Sequence, residues 1–250
     1  MPEVQRQGEG LVKGLPGDES RARTREIASR LRVLYEIGDP PTADDDPTGE
    51  LVGTILAQHT SDINSGRAYL ALREAFATWD DVLSAEEVTL ANVIRAGGLA
   101  NIKARRIQQC LAAIRDRYGA VDLTHLRSAE FEQARSELMA LPGVGPKTAA
   151  CVLLFSLGQP AIPVDTHVHR VSGRLGLIGP KVSADAAHIV LADLVAPEDA
   201  HAIHVGLVRH GRQVCKALRP LCGICALADV CNYYARNISS PEPDSIATGA

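Results

Sequence analysis

Hydrophobic positions recur at helical spacing through most of the chain. Ile27, Leu31, Leu34 and Ile37 mark a first helix, which Gly38, Pro40 and Pro41 stop. From about Glu50 to Leu157 the pattern reads as successive short helices. These are LVGTILAQ, the stretch after Ser61 to Phe76, and a third helix opened by a capping box at Ser84 and Glu87 and ended by Gly97 and Gly98. A basic amphipathic helix follows, with Ile107, Leu111 and Ile114 on one side and Lys103, Arg105 and Arg106 on another; the next helix ends at Leu141. After Gly158, helices start near Asp165, Ser183 and Pro197. Residues 1 to about 20 and the tail from about 236 are polar and aperiodic, and both are predicted to be disordered.

Composition agrees with an all-α chain. Aromatic residues are only 4% of the sequence and β-branched runs are short, so helix is favoured over sheet. At 250 residues with 46% hydrophobic content, the chain can bury one substantial core or two small ones. No apolar run reaches the roughly 18 residues of a membrane span, and the start, MPEVQRQGEG, lacks the apolar stretch of a signal peptide. A soluble, cytoplasmic protein with no membrane partner is expected, associated with the nucleoid if the source is bacterial. Of six cysteines, four crowd between Cys215 and Cys231 while Cys110 and Cys151 stand alone in apolar helical contexts, which points to a cofactor and not to disulfides.

The formal net charge of −4 argues against a nucleic-acid partner, but its distribution argues for one. No Asp or Glu occurs between Ala200 and Ala228, where Arg209, Arg212, Lys216 and Arg219 lie, or from Leu138 to Val164, where Lys147 lies. Acids gather at Asp44, Asp45, Asp46 and Glu50 and near the chain ends. A local basic face on an acidic protein results.

The segment ELMALPGVGPKTAACVLLFSL sets Pro142-Gly143-Val144-Gly145 between two apolar helices, a helix-hairpin-helix signature. Gly143 and Gly145 permit positive φ and close backbone approach, and amides at the start of the second helix form a phosphate site that reads no sequence. Lys147 lies in that helix's first turn. At an arbitrary helix start a lysine is solvated or touches phosphate. Here the positive dipole end and the apolar Val144 and Ala150 favour the neutral amine, the form that attacks as a nucleophile. Downstream, Asp165 in VDTH caps a helix; the same carboxylate can stabilise a sugar oxocarbenium ion or help take a proton from Lys147. His167 reads as a packed or hydrogen-bonded residue.

Cys215, Cys222, Cys225 and Cys231 have the spacing C-x6-C-x2-C-x5-C, enough thiolates to close a metal site. Zinc sites more often pair two C-x2-C knuckles, so the single knuckle with longer loops favours a [4Fe-4S] cluster over zinc. The loop from Lys216 to Leu221 carries Lys216 and Arg219 at its edge. A structural cluster that presents this loop to phosphate is one use; electron carriage of ferredoxin type is the other.

Taken together, LPGVGPKTA, VDTH, the HGR at His210 to Arg212 and the cysteine spacing resemble the endonuclease III family of the helix-hairpin-helix DNA glycosylases, over about residues 22 to 235. The resemblance implies two helical domains with a DNA-binding cleft between them. One is a six-helix barrel carrying the hairpin, within 41–159; the other is a cluster domain from 21–40 and 160–235. It implies a monomer acting on damaged double-stranded DNA: the damaged base is flipped out, Lys147 attacks C1′, a Schiff base forms and β-elimination nicks the strand, with Asp165 matching the catalytic aspartate. Leu99 matches the apolar wedge that enters where the base has left. His59 falls where the family usually has the glutamine that fills the gap, with Gln58 beside it to compensate, and Ala100 is smaller than the bulky residue common there. His167, Arg212, Lys216 and Arg219 join Gly143 and Gly145 as expected DNA contacts. Substrates are expected to be oxidised pyrimidines. Two alternatives stand beside this reading: a monofunctional mismatch or adenine-type glycosylase, though such relatives generally lack this lysine, and a non-catalytic cluster-containing DNA-binding module.

Overall fold

The structure is a computed structural model in which residues 17–40 and 46–237 are described. These residues form α-helices and short turns of tighter or wider helix, with no strand, so the fold is all-α. The first helix, α1 (Asp18–Leu34), buries Thr24, Ile27, Ala28 and Leu31. It begins inside the stretch expected to be disordered, because Asp18 and Glu19 suit the positive end of its dipole. Residues 1–16 lie outside the described part.

The chain divides into two compact units, one within Asp39–Asp165 and one joining Met1–Gly38 to Thr166–Ala250. The first is organised on α2 (Pro47–Ala57), eight of whose eleven residues are buried. Pro47 occupies its first turn and Asp46 caps it, accepting from the Gly49 amide at 2.7 Å and from the Trp79 indole N–H at 3.0 Å. Next come α3 (Asp62–Ala75), capped by Ser61, and α4 (Trp79–Ser84). The capping box expected at Ser84 and Glu87 is not formed. Ser84 ends α4, and α5 (Glu87–Val93) starts with no side-chain cap. The box forms instead at Thr78 and Asp81, where burial of Trp79 and Val82 fixes the helix start.

Helix α6 (Ala100–Tyr118) buries Ala104, Ile107, Cys110, Leu111 and Ile114, as its pattern requires. Lys103 departs from the expected basic face, being only 2% exposed. Helices α7 (Phe131–Met139) and α8 (Pro146–Cys151) form the arms of the hairpin, and α8 runs on into a π-turn at Val152–Ser156.

The second unit combines α1 with α9 (Thr166–Leu175), α10 (Ala184–Leu194), α11 (Ala200–Gln213) and α12 (Asn232–Asn237). Helix α11 packs against both α1 and α9. Arg32 on α1 pairs with Asp199 at 2.9 Å. Between α11 and α12 the chain makes only two three-residue 3-10 turns, Cys222–Ile224 and Ala228–Val230. Residues 236 and 237, expected to be disordered, continue α12; the rest of that tail, 238–250, lies outside the described residues.

Candidate active site and cysteine cavity

The hairpin turn depends on a left-handed glycine. Gly143 has φ 75°, and a Cβ there would lie 2.9 Å from Cδ of Arg106, so any side chain would be strained by both backbone and space. Val144 is buried beneath the turn, and its amide donates to Leu141 O at 3.2 Å. Gly145 precedes α8 in extended conformation, and Pro146 supplies the pre-set first helical residue.

Lys147 is therefore fixed in the first turn of α8, half-buried. One turn later lies buried Cys151. Burial pushes its thiol up, the Lys147 ammonium beside it pulls the other way, and Glu50 adds to the rise. Glu50 accepts from Thr54 Oγ1 at 3.1 Å along α2. Lysine, thiol, carboxylate and hydroxyl thus share one neighbourhood. Sequence reasoning singled out only the lysine. The i,i+4 spacings Glu50–Thr54 and Lys147–Cys151 were the available signal, but which faces of α2 and α8 meet is a matter of packing. Asp165 is half-buried at the end of the segment Ala161–Val164, in which Ala161, Ile162 and Val164 are buried. It stands immediately before α9.

Gln58 and His59, adjacent in sequence, are placed differently. The Gln58 carboxamide accepts from Arg106 Nη1 at 2.6 Å and donates to Thr148 Oγ1 at 3.5 Å, which ties the end of α2 to the hairpin side. His59 is exposed with φ 53°. Leu99, at the start of α6, has φ 49° and is 52% exposed. Both are conformations that L-residues adopt at a cost, and both hold their side chains outward at the surface of this unit.

In the other unit, His167 accepts from Arg170 Nη2 at 3.2 Å through Nδ1, in line with a hydrogen-bonded histidine. Arg212, Lys216 and Arg219 are exposed, and Leu218 between the last two is 95% exposed. All six cysteines are free thiols. Cys215, Cys222, Cys225 and Cys231 line one partly open pocket, together with Arg174, His210, Tyr233 and Tyr234. Among the described residues no group of three or more His, Cys, Asp or Glu could hold a metal ion. The four thiols are arrayed around a space and do not converge on a point.

The chemistry of this donor set fits a cationic cluster. Burial pushes the Cys222 and Cys225 thiols up, and the neighbouring cysteines add to it, so the thiolates need a positive partner. Arg174 approaches Cys215 Sγ at 3.3 Å, and its other bonds go to Lys216 O at 2.7 Å and Ala217 O at 2.8 Å. His210 Nε2 lies 3.5 Å from Cys225 Sγ and its Nδ1 2.9 Å from Tyr35 Oη. Arg174 and His210 thus bring polar groups up to the cysteine sulfurs.

A sequence model of the HhH-GPD superfamily of base excision DNA repair proteins matches residues 52–197. Endonuclease III of Thermotoga maritima is 34% identical over 192 residues, covering 76% of this chain and 85% of that protein. A solved structure of a trapped endonuclease III–DNA covalent intermediate is 30% identical with a TM-score of 0.73, covering 86% of this chain and 97% of that one. A thermostable thymine-DNA glycosylase, 23% identical with a TM-score of 0.70 over 87% of this chain and 99% of that one, shares the fold. No described helix is long and apolar enough to cross a membrane. A superfamily match over more than half the sequence, carried by the part that holds the hairpin, together with that degree of identity, makes this chain a DNA-binding glycosylase of base excision repair in the endonuclease III family.

Proposed function

We propose that the chain is a bifunctional glycosylase and AP lyase that acts as a monomer on oxidised pyrimidines in duplex DNA, with Lys147 as nucleophile and Asp165 as its acid–base partner. The observation that carries this reading is the half-buried Lys147 in the first turn of α8, directly after the glycine hairpin. The trapped covalent complex known for a 30%-identical endonuclease III supports it by likeness.

In this reading the Lys147 amine forms a bond to C1′ as the glycosidic bond breaks, and the base leaves with its electron pair and takes up a proton. The sugar ring opens to a Schiff base. Loss of a proton from C2′ then breaks the bond to the 3′ phosphate, which nicks the strand, and water releases the lysine. Asp165 takes the proton that the lysine must lose and offsets positive charge on the sugar. Gly143 and Gly145 present backbone amides to phosphate. Leu99 and Gln58, with His59 beside it, occupy the space the flipped nucleotide leaves.

Cys215, Cys222, Cys225 and Cys231 would hold a [4Fe-4S] cluster. Bound there, it would supply the positive charge the thiolates need and fix the loop that carries Lys216 and Arg219. The single C-x2-C knuckle with longer loops favours it over zinc, whose sites more often pair two such knuckles. Arg212, Lys216 and Arg219 serve DNA phosphates.

Duplexes carrying thymine glycol, dihydrouracil, uracil, a mismatched thymine or an abasic site test the whole. Base release with strand nicking at the first two, and nicking at the abasic site, is the expected result. Base release without nicking, or release confined to mismatched thymine or adenine, would place the chain with the monofunctional glycosylases, and DNA binding with no release would make it a binding module.

A further inference from the structure

Lys103 has a side chain that the proposed reaction does not use, yet it is placed with care. Its ammonium is buried, 2% exposed, whereas the nearby cations of the same helix reach out to Glu87 (Arg105) or to Gln58 and the hairpin glycine Gly143 (Arg106). Burying an ammonium is costly unless strong acceptors meet it. Two do: Nζ donates to Leu56 O at 2.7 Å and to Gly97 O at 2.8 Å. Burial alone pushes the Lys103 ammonium below its ordinary range.

These carbonyls belong to different segments. Leu56 lies in the last turn of α2, where carbonyls have no intrahelical donor; Gly97 ends the 3-10 turn before α6. The segments touch directly: a Cβ on Gly97 would lie 3.8 Å from Leu56 O and 3.2 Å from the Ala68 side chain. Each then leads within three residues to a non-glycine residue of positive φ, His59 at 53° after Leu56 and Leu99 at 49° after Gly97. In the Asp39–Asp165 unit these are the only described non-glycine residues with positive φ. One buried charge is thus bonded to the backbone just upstream of both strained turns, and strained residues persist only where surrounding structure holds them.

We infer that Lys103 is a positioning residue that clamps the Gln58–His59 turn and the Leu99 turn into one rigid wedge, so that both segments enter the helix together when a base is expelled. This rests on the wedge roles proposed above for Gln58, His59 and Leu99. The clamp acts through backbone carbonyls and touches neither substrate nor the reacting atoms.

A paired lesion must be unstacked against resistance, whereas an abasic site is already open, so a loosened wedge discriminates between them. The test uses the full chain and its Lys103→Met variant, with the fraction folded at assay temperature set by thermal unfolding. On a duplex with a paired thymine glycol, base release is expected to fall about 10- to 100-fold, the scale of a small misplacement. Borohydride trapping on an abasic duplex should change by about twofold or less, since little unstacking remains. A 2-aminopurine beside the lesion should lose most of the fluorescence rise that unstacking gives the parent protein. Equal losses on both duplexes, in proportion to the folded fraction, would reduce Lys103 to a structural cap and overturn the clamp.

If Lys103→Met does not fold, Gln58→Ala, Leu99→Ala and their double variant decide. Non-additive losses of base release support a shared clamp, and additive ones overturn it. A parent protein that neither traps on abasic DNA nor releases a base fails earlier and overturns the reading beneath the clamp along with it.

Discussion

Helix α6 and the segment from Val214 to Cys231 are of similar length and are held by different forces. Helix α6 buries Ile107, Leu111 and Ile114 completely, and Leu51, Ile55, Leu72, Leu90 and Ile94 are equally buried in the same unit. The Val214–Cys231 segment has one fully buried residue, Leu227, and no helix beyond two short 3-10 turns. Its carbonyls are instead taken by arginines: Arg170 Nε bonds Cys215 O at 3.1 Å, and Arg174 bonds Lys216 O and Ala217 O. The first region folds by removing apolar surface from water. The second is laced together by charge-assisted bonds from arginines and, in the proposed reading, by the cluster that its four thiols would hold.

The sharpest way to break this contrast is Cys222→Ser. Loss of bound iron, of the cluster's visible absorption and of tight DNA binding is expected, with hydrogen exchange across α6 unchanged. Retained iron, or a collapse of α6 protection, would erase the distinction. Next in size, Leu111→Ala should destabilise the protein by about 2–5 kcal/mol in denaturant unfolding, leaving iron content per folded molecule as it was. Arg219→Ala, at the exposed edge of the cysteine segment, should weaken binding to all duplex sequences alike and reduce the salt slope by about one. A sequence-dependent loss would mean that it reads bases.

The smallest expected effect lies in the apolar unit. Tyr118 donates to Glu137 at 2.7 Å and holds its carboxyl below the ordinary range, with Gln133 and then His125 adding to this. A depressed carboxyl contributes stability above its unfolded value and loses it as pH falls through the folded one. Glu137→Gln should therefore cost about 1 kcal/mol or less near neutral pH and nothing in strong acid. A deficit that persists unchanged in acid would assign the loss to packing.

How much could be read beforehand follows the same division. Periodic burial announces α1, α2, α3 and α6, and the glycine hairpin announces the placement of Lys147, because each signal is local. The capping box moved from Ser84 to Thr78 because Trp79 is anchored by Asp46, 33 residues earlier. Lys103 left the polar face of α6 because Leu56, 47 residues away, offers it a carbonyl. Glu50, Thr54 and Cys151 gather near Lys147 only through the packing of α2 on α8. Spacing within one helix carries none of these long-range partners.

Lys147 as nucleophile is tested most directly by borohydride reduction of the protein bound to a duplex with one abasic site. The parent chain should yield a covalent adduct of protein and DNA, and Lys147→Ala should yield none while still binding that duplex. An adduct of undiminished yield from Lys147→Ala would contradict the assignment and move the nucleophile elsewhere.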